Sequence, residues 1–140
     1  MDLSPILARL QAGSTGIVAF GRAADFTSAS QNLRQKTPAA FLLNLAERAG
    51  QNQYIGVVGQ LLTARFGVVL AIQNLRDPQG EAAQDDLEPI SLAVRSALLG
   101  WTPDSADSPC VCSGGRLLAL HANVLWWQDD FETTYYVRSL

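Results

Sequence analysis

The sequence predicts an α+β domain, a mostly antiparallel sheet of about four to five strands flanked by two main helices. Three observations support this prediction. The elements follow in the order helix, strands, helix, strands, with no internal repeat. Period-two alternation of apolar residues marks the strands, whereas spacing by three and four residues marks the helices. The length of 140 residues suits one core, so we expect a single domain over residues 1–140.

The first part of the chain predicts a helix, a short strand and a loop. The helix covers residues 2–12, with Ser4 as its N-terminal cap and Pro5 at its first helical position. Its apolar stripe consists of Leu3, Ile6, Leu7 and Leu10. A strand follows at 16–20, and the polar, small-residue-rich segment 22–36 is expected to be a loop.

The middle of the chain predicts the longest strands. One strand covers 39–46, and residues 47–53 lack a large apolar anchor and are expected to form a turn. Residues 54–74 are apolar on both alternating faces, as in a strand that is covered on both sides. The glycines within this segment predict bends or bulges, so it could be one long bent strand or two consecutive strands.

A second helix is predicted over residues 81–99, after a turn at 77–80. Its buried stripe consists of Leu87, Ile90, Val94, Ala97 and Leu98. Pro89 suits this helix only if the regular part begins after residues 81–86, which could then form a separate turn. Residues 102–113 have no periodicity and are expected to be a loop.

The C-terminal stretch predicts two strands that fold about a turn at 128–130. Asp129 and Asp130 are expected to be turn residues, since aspartate favours turns. Trp127 and Tyr136 then lie on the outer face of this hairpin, although Trp127 could instead pack under a helix as part of the core.

The charge pattern excludes several classes of function. The net charge is −3, and the basic residues are scattered, so we expect no direct binding to nucleic acid. No apolar run reaches the roughly 18 residues that a membrane-spanning helix needs, and the N-terminus is unlike a signal peptide, which favours the cytoplasm. Charged residues are only 16% of the chain, which suggests a surface covered by a partner or by copies of itself. A weakly charged monomer is the alternative.

Catalytic and metal-binding patterns are weak. His121 is the single histidine and has no neighbouring motif, so we expect no catalytic residue. Cys110 and Cys112 have neither redox nor zinc-site spacing. One acidic set could attract a divalent cation, but it matches no EF-hand loop, and the dipole of the predicted second helix explains it more simply. That set consists of Asp77, Glu81, Asp85, Asp86 and Glu88. We expect no cofactor and no metal.

Taken together, the order and spacing of several segments resemble a known family. These segments are Thr37–Phe41, Gln60 with Phe66–Leu70, Leu98–Trp101, Gly115–Leu118 and Leu125–Thr133. With the helical start, they resemble the tail terminator proteins of long-tailed phages and prophages, including the Mu-like and lambda-terminator-like branches. The resemblance extends over nearly the whole chain. It depends on the order and spacing of these segments and on the length of the chain, not on any single motif.

The resemblance implies a structural role and no enzymatic activity. Members of the family form a ring, usually of six copies, on the head-proximal end of the tail tube. The ring stops tube polymerisation and meets a head-side connector protein, so the expected partners are the chain itself, the tail tube protein and the connector. Assembly would take place in the bacterial host cytoplasm, and the protein would remain in the virion tail.

We expect the interfaces to lie on the outer side of the C-terminal hairpin and in the loops. The candidate residues are Trp127, Tyr136, Arg22, Arg34, Asp129 and Asp130. One alternative is a neck or connector protein that attaches to heads. Another is a small ligand-binding or hydrolytic domain that uses His121.

Overall fold

The computed structural model describes residues 1–13, 16–23, 27, 37–73, 81–121 and 123–139. The elements in these residues are α1 (Ser4–Gly13), β1 (Ala19–Arg22), β2 (Ala39–Ala49), β3 (Gly59–Gln73), α2 (Glu81–Leu98), β4 (Val111–His121) and β5 (Val124–Arg138). The strands form one sheet in the order β1-β2-β3-β5-β4. Only the β1–β2 pair in this sheet is parallel. The predicted α+β class with a mostly antiparallel sheet is therefore confirmed.

Both helices pack on one face of the sheet. The stacked rings of Phe66 on β3 and Phe131 on β5, with centroids 5.5 Å apart, lie at the centre of this layer. The other large buried side chains there are Ile6, Leu10, Leu42, Val68, Leu70, Ile72, Val94, Leu98 and Leu125. Arg9 links the two helices, because its Nε donates to the Ala97 carbonyl at 2.8 Å and its guanidinium lies over the Trp101 ring.

A second apolar cluster lies on the opposite face of the sheet. Phe41 on β2 and Trp126 on β5 have ring centroids 6.4 Å apart, and Val69 lies with them in the same buried cluster. The centre of β3 is thus buried on both faces, as its two apolar faces predicted.

The start of α1 differs from the prediction in its cap. Leu3, Ile6 and Leu10 are buried, which confirms the apolar stripe. However, Asp2 Oδ1 accepts the backbone N–H of Ser4 at 2.9 Å, and the Leu3 carbonyl accepts from Leu7. Asp2, two residues before Ser4, therefore supplies the capping oxygen, and the prediction of Ser4 as the cap was wrong.

The second helix runs without interruption through Pro89. The proposed separate turn at 81–86 was therefore wrong. A proline removes the N–H that would bond to the carbonyl four residues earlier, here that of Asp85. Both residues are exposed, so water can reach this point of the helix. The predicted buried stripe is confirmed, with Val94 and Leu98 fully buried and Leu87 partly buried against the core.

Four strands also differ from the prediction in their boundaries. The strand β1 is Ala19–Arg22 rather than 16–20, because its pairing with β2 runs from Ala19↔Ala39 to Arg22↔Leu42. The strand β2 continues to Ala49, through part of the predicted turn, because pairing with β3 extends to Ala49↔Leu62 past a bulge. The strand β3 begins only at Gly59, so residues 54–58 form a loop. The strand β4 begins at Val111, inside the predicted loop 102–113. In each case backbone pairing across the sheet, rather than local composition, sets the boundary.

The C-terminal hairpin turns at a different place from the predicted one. The chain reverses between His121 and Val124, where Asn123 has a φ of 64°, a conformation that asparagine tolerates. Asp129 and Asp130 are instead in the middle of β5, paired with Val68 and Gly67, so their assignment as turn residues was wrong. Composition favoured a turn there because aspartates are rarely buried without partners, and the partners are distant in sequence.

Some predictions fall outside the described residues. These are most of the loop 22–36, with the candidate interface residue Arg34, and the turn at 77–80, with Asp77.

Candidate interaction surfaces

The Asp129 carboxylate lies at the centre of a polar cluster beneath α2. Its side chain is fully buried. Its Oδ2 accepts from the Ser91 hydroxyl at 2.7 Å, and its Oδ1 accepts from Arg95 Nη2 at 2.8 Å and from Trp127 Nε1 at 2.9 Å. The hydrogen bond from Arg95 to Asp129 raises the pKa of the guanidinium. This cluster attaches α2 to the middle of β5.

Gly115 on β4 makes room for that cluster. A Cβ at this position would lie 2.8 Å from Asp129 Oδ1 and 2.8 Å from the Trp127 ring. It would also lie 3.2 Å from Arg95 Nη2, so the backbone of the edge strand is close to this arginine. In the described part of the chain, Arg95 Nε is buried without a hydrogen-bond partner. Glycine is therefore required here for close approach.

The Asp130 carboxylate forms a second cluster on the opposite face of the sheet. Its Oδ2 pairs with Arg65 Nη2 and Arg116 Nη1, each at 3.2 Å, and its Oδ1 accepts from Gln128 Nε2 at 2.6 Å. The two arginines are about half exposed, with 43% and 57% of their side-chain surface accessible. The neighbouring aspartates on β5 are thus neutralised on opposite faces, which explains how both can be buried in mid-strand.

These contacts place the six candidate interface residues differently from one another. Asp129 and Asp130 are buried in the clusters just described, and neither lies on a free surface. Trp127 is partly buried against the helix-bearing core, which matches the alternative given for it. Tyr136 and Arg22 are exposed, and Arg34 lies outside the described residues.

The residues considered for chemistry do not form a reactive site in the described structure. His121 is exposed at the end of β4, and no carboxylate among the described residues bonds to its ring. No group of three potential metal ligands occurs among the described residues. Both cysteines are free; Cys110 is buried, which raises its pKa to about 11, whereas Cys112 is exposed.

A loop of four apolar residues protrudes where β2 turns into β3. Its members, which we call the tip patch, are Tyr54, Ile55, Val57 and Val58. All four are exposed, and Ile55 is exposed completely. The surrounding sequence from Ala49 to Ala64 contains no charged residue. An exposed apolar loop of this kind, without charges to solvate it, is typical of a contact surface.

Hydrogen bonds hold this loop in one conformation. Asn52 Nδ2 donates to the carbonyls of Tyr54 and Val57, each at 3.1 Å, and Asn52 Oδ1 accepts from the backbone N–H of Gly59 at 2.9 Å. The Ser139 hydroxyl, from the end of the chain, accepts from the Val58 N–H at 2.8 Å. The tip patch is therefore built on a structured turn.

Residues from β5 adjoin the tip patch. A Cβ at Gly59 would lie 2.5 Å from the Tyr54 ring, so glycine lets this ring lie against β3. Tyr54 and Arg138 line a common cavity of about 320 Å³, and the Arg138 guanidinium lies 5.5 Å from the centre of the Tyr136 ring. The predicted interface residue Tyr136 thus lies close to the tip patch, whose residues were predicted to belong to a strand.

A second apolar surface lies on the two parts of the chain that approach each other at Arg95 and Gly115. It consists of four leucines with exposed fractions between 42% and 53%, which we call the edge patch: Leu92, Leu99, Leu117 and Leu120. Leu92 belongs to α2, and Leu99 directly follows the last residue of α2, with its backbone N–H donating to the Arg95 carbonyl at 2.8 Å. Leu92 and Leu99 come three residues before and four residues after Arg95, so all three project from the same side of the helix.

The other two leucines of the edge patch belong to β4, the outermost strand. In the sheet register Leu117 lies opposite Trp127 and Leu120 lies opposite Leu125, and both partners pack into the helix-bearing core. Leu117 and Leu120 therefore lie on the face of the sheet that carries α2. No sequence pattern predicted the edge patch, although Leu92 and Leu99 are apolar residues outside the buried stripe of the predicted second helix.

Comparisons with known proteins identify the family of the chain. None of the described helices is both long enough and apolar enough to span a membrane. A search among curated proteins gave no match. A model of the phage tail terminator protein family matches residues 1–139, in agreement with the resemblance seen in the sequence. The chain therefore belongs to the phage tail terminator protein family.

Proposed function

We propose that copies of this chain form a closed ring of six on the head-proximal end of the phage tail tube. The ring would end tube polymerisation and present a surface to the head-side connector protein. The observation that carries the proposal is the family match over residues 1–139, which already assigns the chain a structural role in tail completion. The ring, its copy number and its partners are the proposed part.

The surface of the described residues supports an assembling protein. A closed ring needs two different patches on each copy, because its contacts are heterologous. The tip patch and the edge patch are two such surfaces, on different elements and both composed of apolar side chains. Exposed apolar groups of this kind are more typical of contact surfaces than of a free monomer.

The buried polar groups support a rigid scaffold rather than a reactive one. Asp129 and Asp130 are both engaged by arginines and other donors, so neither carboxylate is free to act as a base or to bind a cation. His121 lies apart from them at the end of β4. This arrangement favours the structural role over the hydrolytic alternative.

Deletion of the gene tests the proposed role in tail completion. We expect tails of irregular, increased length that do not join heads, and expression of the chain from a plasmid should restore normal virions. Tails of normal length that are only unable to join heads would instead favour the neck or connector alternative. Normal tails joined to heads in the deletion phage would contradict both.

Purified protein tests the ring directly. Sedimentation and negative-stain microscopy should show a ring, either in free solution at high concentration or on the ends of isolated tail tubes. A monomer under both conditions would contradict the ring.

A further inference from the structure

We propose that neighbouring copies meet through the tip patch of one copy and the edge patch of the next. This inference rests on the proposed ring and names the two surfaces that close it. In this arrangement the tip patch contacts a second copy of this chain rather than the tail tube.

The two patches of one copy are too far apart to meet each other. Along β5, Arg138 pairs with Gly59 beside the tip patch, whereas Trp127 pairs with Leu117 of the edge patch. The stretch of β5 from Trp127 to Arg138 spans roughly 35 Å in an extended strand. Each patch therefore remains free for another copy, and repetition of one such contact generates a ring or a filament.

The tip patch is suited to insertion. Asn52 and Ser139 hold the loop through hydrogen bonds to its backbone, so little conformational entropy is lost when Ile55 is buried against a partner. A preorganised apolar loop of this kind can serve as the buried anchor of an interface.

The edge patch is suited to receive side chains rather than a strand. The strand β4 has register shifts between Cys112 and Gly114 and between Leu117 and Ala119. Such irregularities interrupt the row of backbone groups at a sheet edge and oppose simple edge-to-edge pairing. The exposed leucines of the edge patch remain available as an apolar docking surface.

The charges beside the two patches are complementary, which favours a second copy as the occupant. Arg138 adjoins the tip patch and is exposed. On α2, Asp85 and Glu88 are exposed and lie on the same side of the helix as Leu92, about two turns and one turn earlier respectively. In the proposed contact Arg138 of one copy approaches these carboxylates of the next, while the apolar side chains meet beside them.

Paired substitutions test this contact. Ile55→Asp disables the tip patch and Leu117→Asp disables the edge patch, and each should weaken self-association by about 100-fold or more. Val18→Asp is the matched control, because Val18 is also an exposed apolar residue. It lies beside β1, at the edge of the sheet opposite β4. Circular dichroism and thermal melts establish that all three variants fold like the wild type.

Mixing the two disabled variants distinguishes this contact from all others. A copy with Ile55→Asp retains its edge patch, and a copy with Leu117→Asp retains its tip patch. The mixture should therefore form one-to-one dimers and nothing larger, as measured by sedimentation. Rings from the mixture, or no association at all, would overturn the inference.

A charge reversal adds a second readout. Arg138→Glu should weaken self-association, and Glu88→Arg in the same chain should restore most of it. If no restoration occurs, Arg138 and Glu88 do not face each other and the proposed orientation is wrong.

The outcomes also separate this inference from the proposed function. If the patch variants still form rings but no longer stop tube growth, the patches contact the tube, which overturns the inference and leaves the ring intact. If the wild type neither self-associates nor assembles on tail tubes, both proposals fail.

Discussion

Replacement of Asp129 with alanine should destabilise the protein more than any other single loss of a carboxylate in its described structure. The substitution leaves three donors without their acceptor: the Ser91 hydroxyl, Arg95 Nη2 and Trp127 Nε1. The Asp129 side chain is fully buried, so water cannot readily replace it. The attachment of α2 to β5 is lost with it.

The size of this effect follows from the burial of the three donors. Removal of one partner from a buried ion pair costs about 3–5 kcal/mol. About one third of the Arg95 side chain is accessible, so it can regain some hydration, and we expect a loss near the lower end, about 3 kcal/mol. For a domain of this size that corresponds to a fall of roughly 10 °C in Tm. Asp129→Asn keeps the shape and should cost only about 1–2 kcal/mol.

Asp130→Ala provides the comparison within the same strand. Its partners Arg65 and Arg116 are about half exposed and can turn to water, so we expect a smaller loss of about 1–2 kcal/mol. Asp104→Ala, at an exposed turn, is the control and should change stability by less than about 0.5 kcal/mol. Urea unfolding followed by tryptophan fluorescence measures all four variants. A greater loss for Asp130→Ala than for Asp129→Ala would refute this reasoning.

Three further substitutions or reactions test other parts of the structure. Gly115→Ala places a Cβ 2.8 Å from Asp129 Oδ1, and should lower the free energy of unfolding by about 1–3 kcal/mol in the same urea assay; an unchanged midpoint would contradict this close approach. Cys110, with a pKa of about 11, should resist alkylation at pH 8, where about one thiolate per thousand molecules is present, whereas exposed Cys112 should react rapidly by mass spectrometry. Equal labelling of both cysteines in the folded protein would contradict the burial. His121→Ala should assemble and complement a deletion phage like the wild type, and a loss of function would revive the hydrolytic or ligand-binding alternative.

Much of the fold could be predicted because its signals are local. The apolar stripes of both helices and the doubly apolar character of β3 follow from side-chain spacing, which the regular backbone geometry converts directly into a face. The strand boundaries could not be predicted in this way. The bulge between Asn44 and Ala46 and the late start of β3 depend on register with a neighbouring strand, which short-range composition does not encode.

The candidate interaction surfaces could likewise be predicted only in part from the sequence. Tyr136 was expected to be exposed because of its place in an alternating strand, and the structure confirms its exposure. The uncharged run from Ala49 to Ala64 is consistent with an exposed contact loop such as the tip patch, but the same run is equally typical of a buried strand. The protruding loop depends on the hydrogen bonds of Asn52 and on the bond between the Val58 N–H and the Ser139 hydroxyl. Ser139 comes close to Val58 only through the pairing of β3 with β5.

The α+β class, the faces of the helices and the membership in the tail terminator family follow from the order and spacing of residues along the chain. The roles of the two aspartates in β5 follow from the three-dimensional arrangement of their partners. Asp129 and Arg95 are separated by 34 residues in sequence but by 2.8 Å in space. Local propensity assigns neighbouring aspartates to a turn, because burial of a carboxylate becomes favourable only when its distant partners are already in place.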